Sequence, residues 1–355
     1  DKEDMKAILA SRGYGYVDNA SDLRAFRGDR LVGTFGKTKT ATAMSYDIDR
    51  DSGNEPSLAR MTAKAIEILS TNEKGFFLMV EGSKIDWAAH ANDPVALVTD
   101  IIAFDDAVRV ALDFAKKDGN TVVIATTDHG NSGISIGDRS ISSGYDKTSL
   151  TTFINPLKRA SLTGEGLEAM LAAKGADRSK EEAIRETVTT YMGISYLTDV
   201  EVAAIAAAKP GSLNYAIGPM VAARAKIGFT TNGHTGEDVV LYGYDPFGKR
   251  LSGLVKNTDI AAYMASTLNV DLEATTSRLF KDAVSMFSKM GASVSVDKTD
   301  PENLVLLVAK GEKTLRIPRN KSIVYLNGEA VDSDGVAVFN GSKWYVAENV
   351  INLIK

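Results

Sequence analysis

Residues 76–127, FFLMVEGSKIDWAAHANDPVALVTDIIAFDDAVRVALDFAKKDGNTVVIATT, decide the fold. The run FFLMV (76–80) is apolar without alternation, the pattern of a strand buried on both faces. Asp93-Pro94 opens a helix, and Val95, Val98, Ile101, Ile102, Asp105, Val108 and Leu112 give it one mostly apolar face through about residue 116. KKDGN (116–120) reads as a turn and TVVIATT (121–127) as a second buried strand. Strand, helix and strand at this spacing make a βαβ unit. The expectation is an α/β fold, a three-layer sandwich in which helices cover a mostly parallel sheet. Ligands of such sheets gather beyond the carboxyl ends of the strands, where VEGSKID (80–86) and TDHGN (127–131) lie.

Outward from this unit, PSLARMTAKAIEILSTNEKG (56–75) reads as a helix, with Pro56 at its first position and Leu58, Met61, Ala65, Ile66 and Leu69 at helical spacing. Before it come a short helix stopped by Gly13 and two short strands, in GYVDN (15–19) and DRLVGTFG (29–36). Residues 155–225 turn rich in alanine and charge and read as a helical insertion, with Ser179 and Glu182 spaced as a capping box. TTNGHTGEDVVLYGYDP (230–246) returns to a turn followed by a strand, and DIAAYMASTL (259–268) reads as a helix. The tail breaks into short alternating segments separated by Gly, Asn and Asp turns. The expected domains are an α/β core over 1–280, carrying the insertion, and a small β-rich module over 281–355.

The 355 residues carry a net charge of −5, with 44% hydrophobic and 25% charged side chains, which is ordinary for a globular protein. No dense Lys/Arg run marks a nucleic-acid partner. No apolar run reaches the roughly 18 residues of a transmembrane helix. There is no cysteine, so disulfides, thiolate ligands and cysteine nucleophiles are excluded, and any zinc must be held by His, Asp or Glu.

Three histidines are present, His90, His129 and His234, and each falls at a predicted strand end or loop beside an acid or a glycine turn. Asp86 and His90 are spaced i, i+4, so a helical turn puts both on one face. Asp128 and His129 are adjacent at the end of TVVIATT, Glu81 ends FFLMV, and His234 sits between Gly233 and Thr235. Each has an ordinary structural reading: a turn through Gly130 and Asn131, or a helix start at Asp86. Together they suit borderline divalent cations, with zinc favoured by imidazole. Two such cations about 4 Å apart clamp the oxygens of an in-line phosphoryl transfer.

The segments 56–94, TTDHGNSG (126–133) and 230–246 resemble the alkaline phosphatase family in order, spacing and context, and the likeness covers about residues 10–150 and 225–270. It implies that Asp86, His90 and His234 hold one zinc, that Asp128 and His129 supply two ligands of a second zinc, and that Glu81 binds a magnesium. Trp87 falls at a position near the third metal and tunes it only by packing. The implied reaction is hydrolysis of phosphate monoesters through a phosphoserine. The family's serine lies in a TDSA-like turn upstream of these motifs, and a GDGM-like segment carries a bridging aspartate. Neither TDS nor GDG occurs here, and Gly28-Asp29-Arg30 lies in the wrong context.

The resemblance therefore implies the carboxyl-terminal portion of a longer enzyme, secreted, periplasmic or on the cell surface, with the chain alone inactive. The first zinc site is expected to form and the second to bind weakly. A strand edge left free favours self-association, such as a homodimer. The tail more weakly resembles the β-modules of the copper amine oxidase N-terminal-like type, without copper ligands, since it contains no histidine. A phosphodiesterase, sulfatase or phosphomutase of the same superfamily, or a catalytically dead metal-binding surface module, are the rival readings.

Overall fold

The computed structural model describes residues 4–36, 43–173 and 180–355, in two compact units, Asp1–Arg250 and Leu251–Lys355. Ser179 of the expected capping box lies outside the described residues.

The first unit runs α1 (Met5–Ser11), β1 (Gly15–Val17), α2 (Ala20–Ala25), β2 (Leu31–Gly33), α3 (Leu58–Leu69), α4 (Ser83–His90), α5 (Pro94–Asp118), β3 (Val123–Thr126), β4 (Gly130–Asn131), β5 (Ser135–Ile136), α6 (Leu150–Arg159), α7 (Gly164–Ala173), α8 (Glu181–Met192), α9 (Asp199–Ala207), α10 (Asn214–Arg224), β6 (Ile227–Gly228), β7 (His234–Thr235) and β8 (Leu241–Tyr244). Helix α5 is its spine. The Asp93 side chain accepts from the Val95 and Ala96 amides at its start, and Gly119, at φ 72°, closes its end in the left-handed conformation that glycine adopts without a Cβ clash. Helix α3 starts at Leu58 under a Ser57 cap, so Pro56 stands two residues before the helix rather than on its first position.

The helical region packs round the start of α5. Leu167, Ile205, Leu213 and Ile217 are fully buried in one cluster with Val95. A Cβ on Gly218 of α10 would meet backbone atoms of Ala91, Asn92 and Asp93 at 2.8–2.9 Å, so the glycine lets α10 rest on the turn that follows α4.

Two expectations need correction. Residues 76–80 are not a paired strand. Phe76 leans on Phe114 of α5, ring centroids 6.1 Å apart, whereas Phe77 and Met79 are 58% and 73% exposed. The segment has one covered face, and among the described residues no strand offers its backbone a partner. The mostly parallel sheet is also absent: among the described strands only β1 and β2 pair in parallel. Strand β3 pairs antiparallel with β8 (Val123↔Tyr244 to Thr126↔Leu241), and β4 pairs antiparallel with β7. The reason is connectivity. β4 follows β3 directly and β8 follows β7 directly, so the returning chain retraces the outgoing one as an antiparallel ribbon.

The second unit runs α11 (Asn257–Thr267), α12 (Leu272–Leu279), β9 (Lys281–Asp282), α13 (Ala283–Lys289), β10 (Ser293–Asp297), β11 (Val305–Lys310), β12 (Lys313–Pro318), β13 (Ile323–Leu326), β14 (Glu329–Asp332), β15 (Val338–Phe339), β16 (Trp344–Val346) and α14 (Glu348–Asn352). Strands β10 to β14 form an antiparallel meander. Leu306, Val308, Leu315, Ile317 and Val324 face its core, with Phe287, Trp344, Val350 and Ile351 packed against them. Asn327-Gly328, both at positive φ, makes the two-residue turn between β13 and β14.

Candidate metal centre

Helix α4 presents two faces. Lys84, Ala88 and Ala89 are buried, and the Lys84 ammonium pairs with Glu165 of α7 at 3.1 Å while lying over the Tyr46 ring. Asp86 and His90 point the other way, toward the β4–β7 ribbon. Register places Asn131 opposite His234, so the ribbon carries His234 to the α4 face. The sharp turn after β4 is held by Ser132, buried at φ 64°, whose hydroxyl donates to the Ala89 carbonyl and whose amide donates to Gly233 O at 2.8 Å.

Asp86, His90 and His234 therefore meet, with donor atoms all within 4.8 Å of one another. His90 Nε2 lies 3.3 Å from Asp86 Oδ2 and 3.2 Å from His234 Nε2, and His234 Nε2 lies 3.6 Å from Asp86 Oδ1. A tetrahedron with zinc–ligand bonds of ~2.0–2.1 Å has edges of about 3.3–3.4 Å, close to the His90–His234 and His90–Oδ2 spacings, while His234 approaches the other carboxylate oxygen. His90 Nδ1 lies 2.6 Å from the Asn232 carbonyl, which fixes its proton there and leaves the Nε2 lone pair facing His234. Two ring nitrogens and a carboxylate turned toward one point suit a cation. One carboxylate and two imidazoles also leave a tetrahedral position open.

The other predicted ligands lie outside this cluster. The His129 ring stacks on His234, centroids 3.5 Å apart, and its Nε2 lies 3.3 Å from Asp128 Oδ2. The Asp128 and Glu81 side chains are exposed, and neither joins the cluster. Trp87 is exposed, with the Lys84 ammonium 4.4 Å from its ring centroid. Sequence reasoning passed over Asn131, Ser132 and Asn232. Their signal was adjacency: each stands within two or three residues of a histidine, in a motif already singled out.

The helix and ribbon of this α/β fold bring together a His₂-Asp set that could hold one cation. The alkaline phosphatase family matches residues 1–270, and the chain belongs to that family. It is 34% identical over 281 residues to alkaline phosphatase 3 of Bacillus subtilis, covering 77% of this chain and 56% of that protein. To the repressible alkaline phosphatase of Saccharomyces cerevisiae it is 30% identical, covering 78% of this chain and 53% of that one. The chain thus spans about half the length of these curated relatives. Among solved structures, the cold-active alkaline phosphatase of a psychrophilic Shewanella superposes with a TM-score of 0.62 at 26% identity, covering 75% of this chain and 62% of that one. That of Thermus thermophilus gives 0.63 at 24% identity over 76% and 59%, a likeness of fold.

Proposed function

We propose that this chain supplies the zinc-binding part of an enzyme that hydrolyses phosphate monoesters through a phosphoserine, with two zincs and one magnesium. The observation that carries the reading is the convergence of one donor atom each from Asp86, His90 and His234, all within 4.8 Å of one another. Relatives named alkaline phosphatases support the substrate class. Asp128 and His129 are assigned to a second, weaker zinc and Glu81 to magnesium. Zinc, when bound, supplies Lewis-acid stabilisation of phosphoryl oxygens. The chain's own part is to hold two imidazole lone pairs and one carboxylate toward a common point.

With neither TDS nor GDG in the sequence, the reading leaves the nucleophile to the part of the family fold that this chain does not span, and the chain alone does not turn over substrate. The open edge at 76–80 is where further strands add, or where two copies meet as a homodimer. No described helix is long and apolar enough to cross a membrane. A secreted, periplasmic or cell-surface location rests on the family resemblance. Residues 281–355 we read as a separate β-rich module.

The test is p-nitrophenyl phosphate hydrolysis with zinc and magnesium. The chain alone should be inactive. A chimera with the unmatched part of B. subtilis alkaline phosphatase 3 should be active, and inactive again with His234→Ala. A folded, zinc-loaded chimera without activity contradicts the reading.

A further inference from the structure

Asn131 is not a ligand, yet its side chain holds the cluster at Asp86. Its Nδ2 donates to Asp86 Oδ1 at 2.7 Å and also reaches the Asp86 backbone carbonyl at 3.3 Å. Its Oδ1 lies 2.9 Å from the Ser132 hydroxyl, whose single proton is shared between it and Ala89 O on α4. Its backbone sits in register with His234. One side chain thus ties the carboxylate on α4 to the strand opposite the histidine on β7. Both ends of its amide thus have a partner, Asp86 on the nitrogen side and Ser132 on the oxygen side.

We propose that Asn131 is a positioning residue for the metal centre, setting which oxygen of Asp86 faces the ion. The inference rests on the zinc-site reading above. An aspartate alone rotates about its terminal torsion and presents either oxygen. A donor fixed on Oδ1, the oxygen 3.6 Å from His234 Nε2, removes that freedom and leaves Oδ2 directed at His90 Nε2, 3.3 Å away. Hydrogen bonds of this kind orient ligating carboxylates, and losing one typically costs ~10–100-fold in metal affinity. Asn232 plays a companion part, its side chain donating to the His90 carbonyl at 2.8 Å while its own carbonyl takes the His90 Nδ1 proton.

Asn131→Asp keeps the shape and the acceptor for Ser132 but removes the donor; Asn131→Leu removes both. The full chain and both variants are titrated with zinc by calorimetry. Each is also loaded with cobalt(II), whose visible spectrum reports coordination geometry, and the metal-free melting temperature is taken as the fold control. The expected result is an affinity loss of about 10–100-fold in both variants with an altered cobalt spectrum. Wild-type affinity and an unchanged spectrum in Asn131→Asp overturn the inference and leave the zinc site standing. A parent chain that binds no zinc overturns the zinc-site reading and this inference together.

Discussion

The imidazole of His129 lies flat on that of His234, ring centroids 3.5 Å apart and planes inclined by 23°. His234 is half exposed on a two-residue strand, so this stack is a main restraint on its ring. An aromatic pair is worth ~0.5–1.5 kcal/mol beyond burial, or roughly 2- to 10-fold in an equilibrium constant. His129→Ala should weaken zinc binding at the His234 site by about that factor, and His129→Phe, which keeps the stack, should restore it. Equal losses in the two variants would show that the nitrogen, not the ring face, supports the site.

Gly218 carries the link from the helical region to the site. An added methyl would press on backbone atoms of residues 91–93, which cannot swing aside. Overpacking of this kind costs typically ~1–3 kcal/mol. Gly218→Ala should lower the denaturation midpoint by that order. It should also weaken zinc binding, because the turn it displaces follows His90 directly. A destabilised variant with unchanged zinc affinity would separate the two effects.

The buried carboxyl that caps α5, Asp93, and the half-buried Asp100 within it set a pH limit. Burial pushes Asp93 up to about 6 and Asp100 up to about 7. Each is protonated more readily in the fold than in the unfolded chain. Their contribution is full below about pH 4 and is lost as pH rises through 6–7. For the fully buried Asp93 the loss is on the order of 3 kcal/mol. Urea midpoints of the wild type should fall between about pH 4 and 7, and those of Asp93→Asn should fall less. Parallel curves would count against this assignment.

The Arg224 guanidinium acts in the opposite sense. It donates to Glu201 at 2.7 Å and holds that carboxyl down to about 2, with the Thr198 cap adding to the effect. This contribution is present above about pH 4 and lost as pH falls through 2. Glu201→Gln should cost ~1.5–3 kcal/mol near neutral pH, the range for hydrogen bonds to charged groups, and far less at pH 2. Chemical denaturation at both pH values checks it.

The site was more legible in the sequence than the sheet. Asp86 and His90 could be paired because i, i+4 spacing on a helix is a local rule, and α4 obeys it. Helix α5 was legible for the same reason: the Asp93 cap, Pro94 and Gly119 are local signals. FFLMV misled because an apolar run reports the wish for cover and says nothing of which strand supplies it. Val123–Thr126 reads alike whether its neighbour runs parallel or antiparallel, and the ribbon with Leu241–Tyr244 is set by pairing across more than a hundred residues. The adjacency of Asn131 to His129 is legible, but its positioning part is not, since its partner Asp86 is 45 residues away.

The central claim is that Asp86, His90 and His234 hold one zinc. X-ray absorption of the chain loaded with one equivalent of zinc tests it most directly. The account predicts a four-coordinate ion with two imidazole nitrogens at ~2.0–2.1 Å and oxygen in the remaining positions. His90→Ala should remove one imidazole from that shell. A shell of oxygens alone, or one unchanged by His90→Ala, would contradict it.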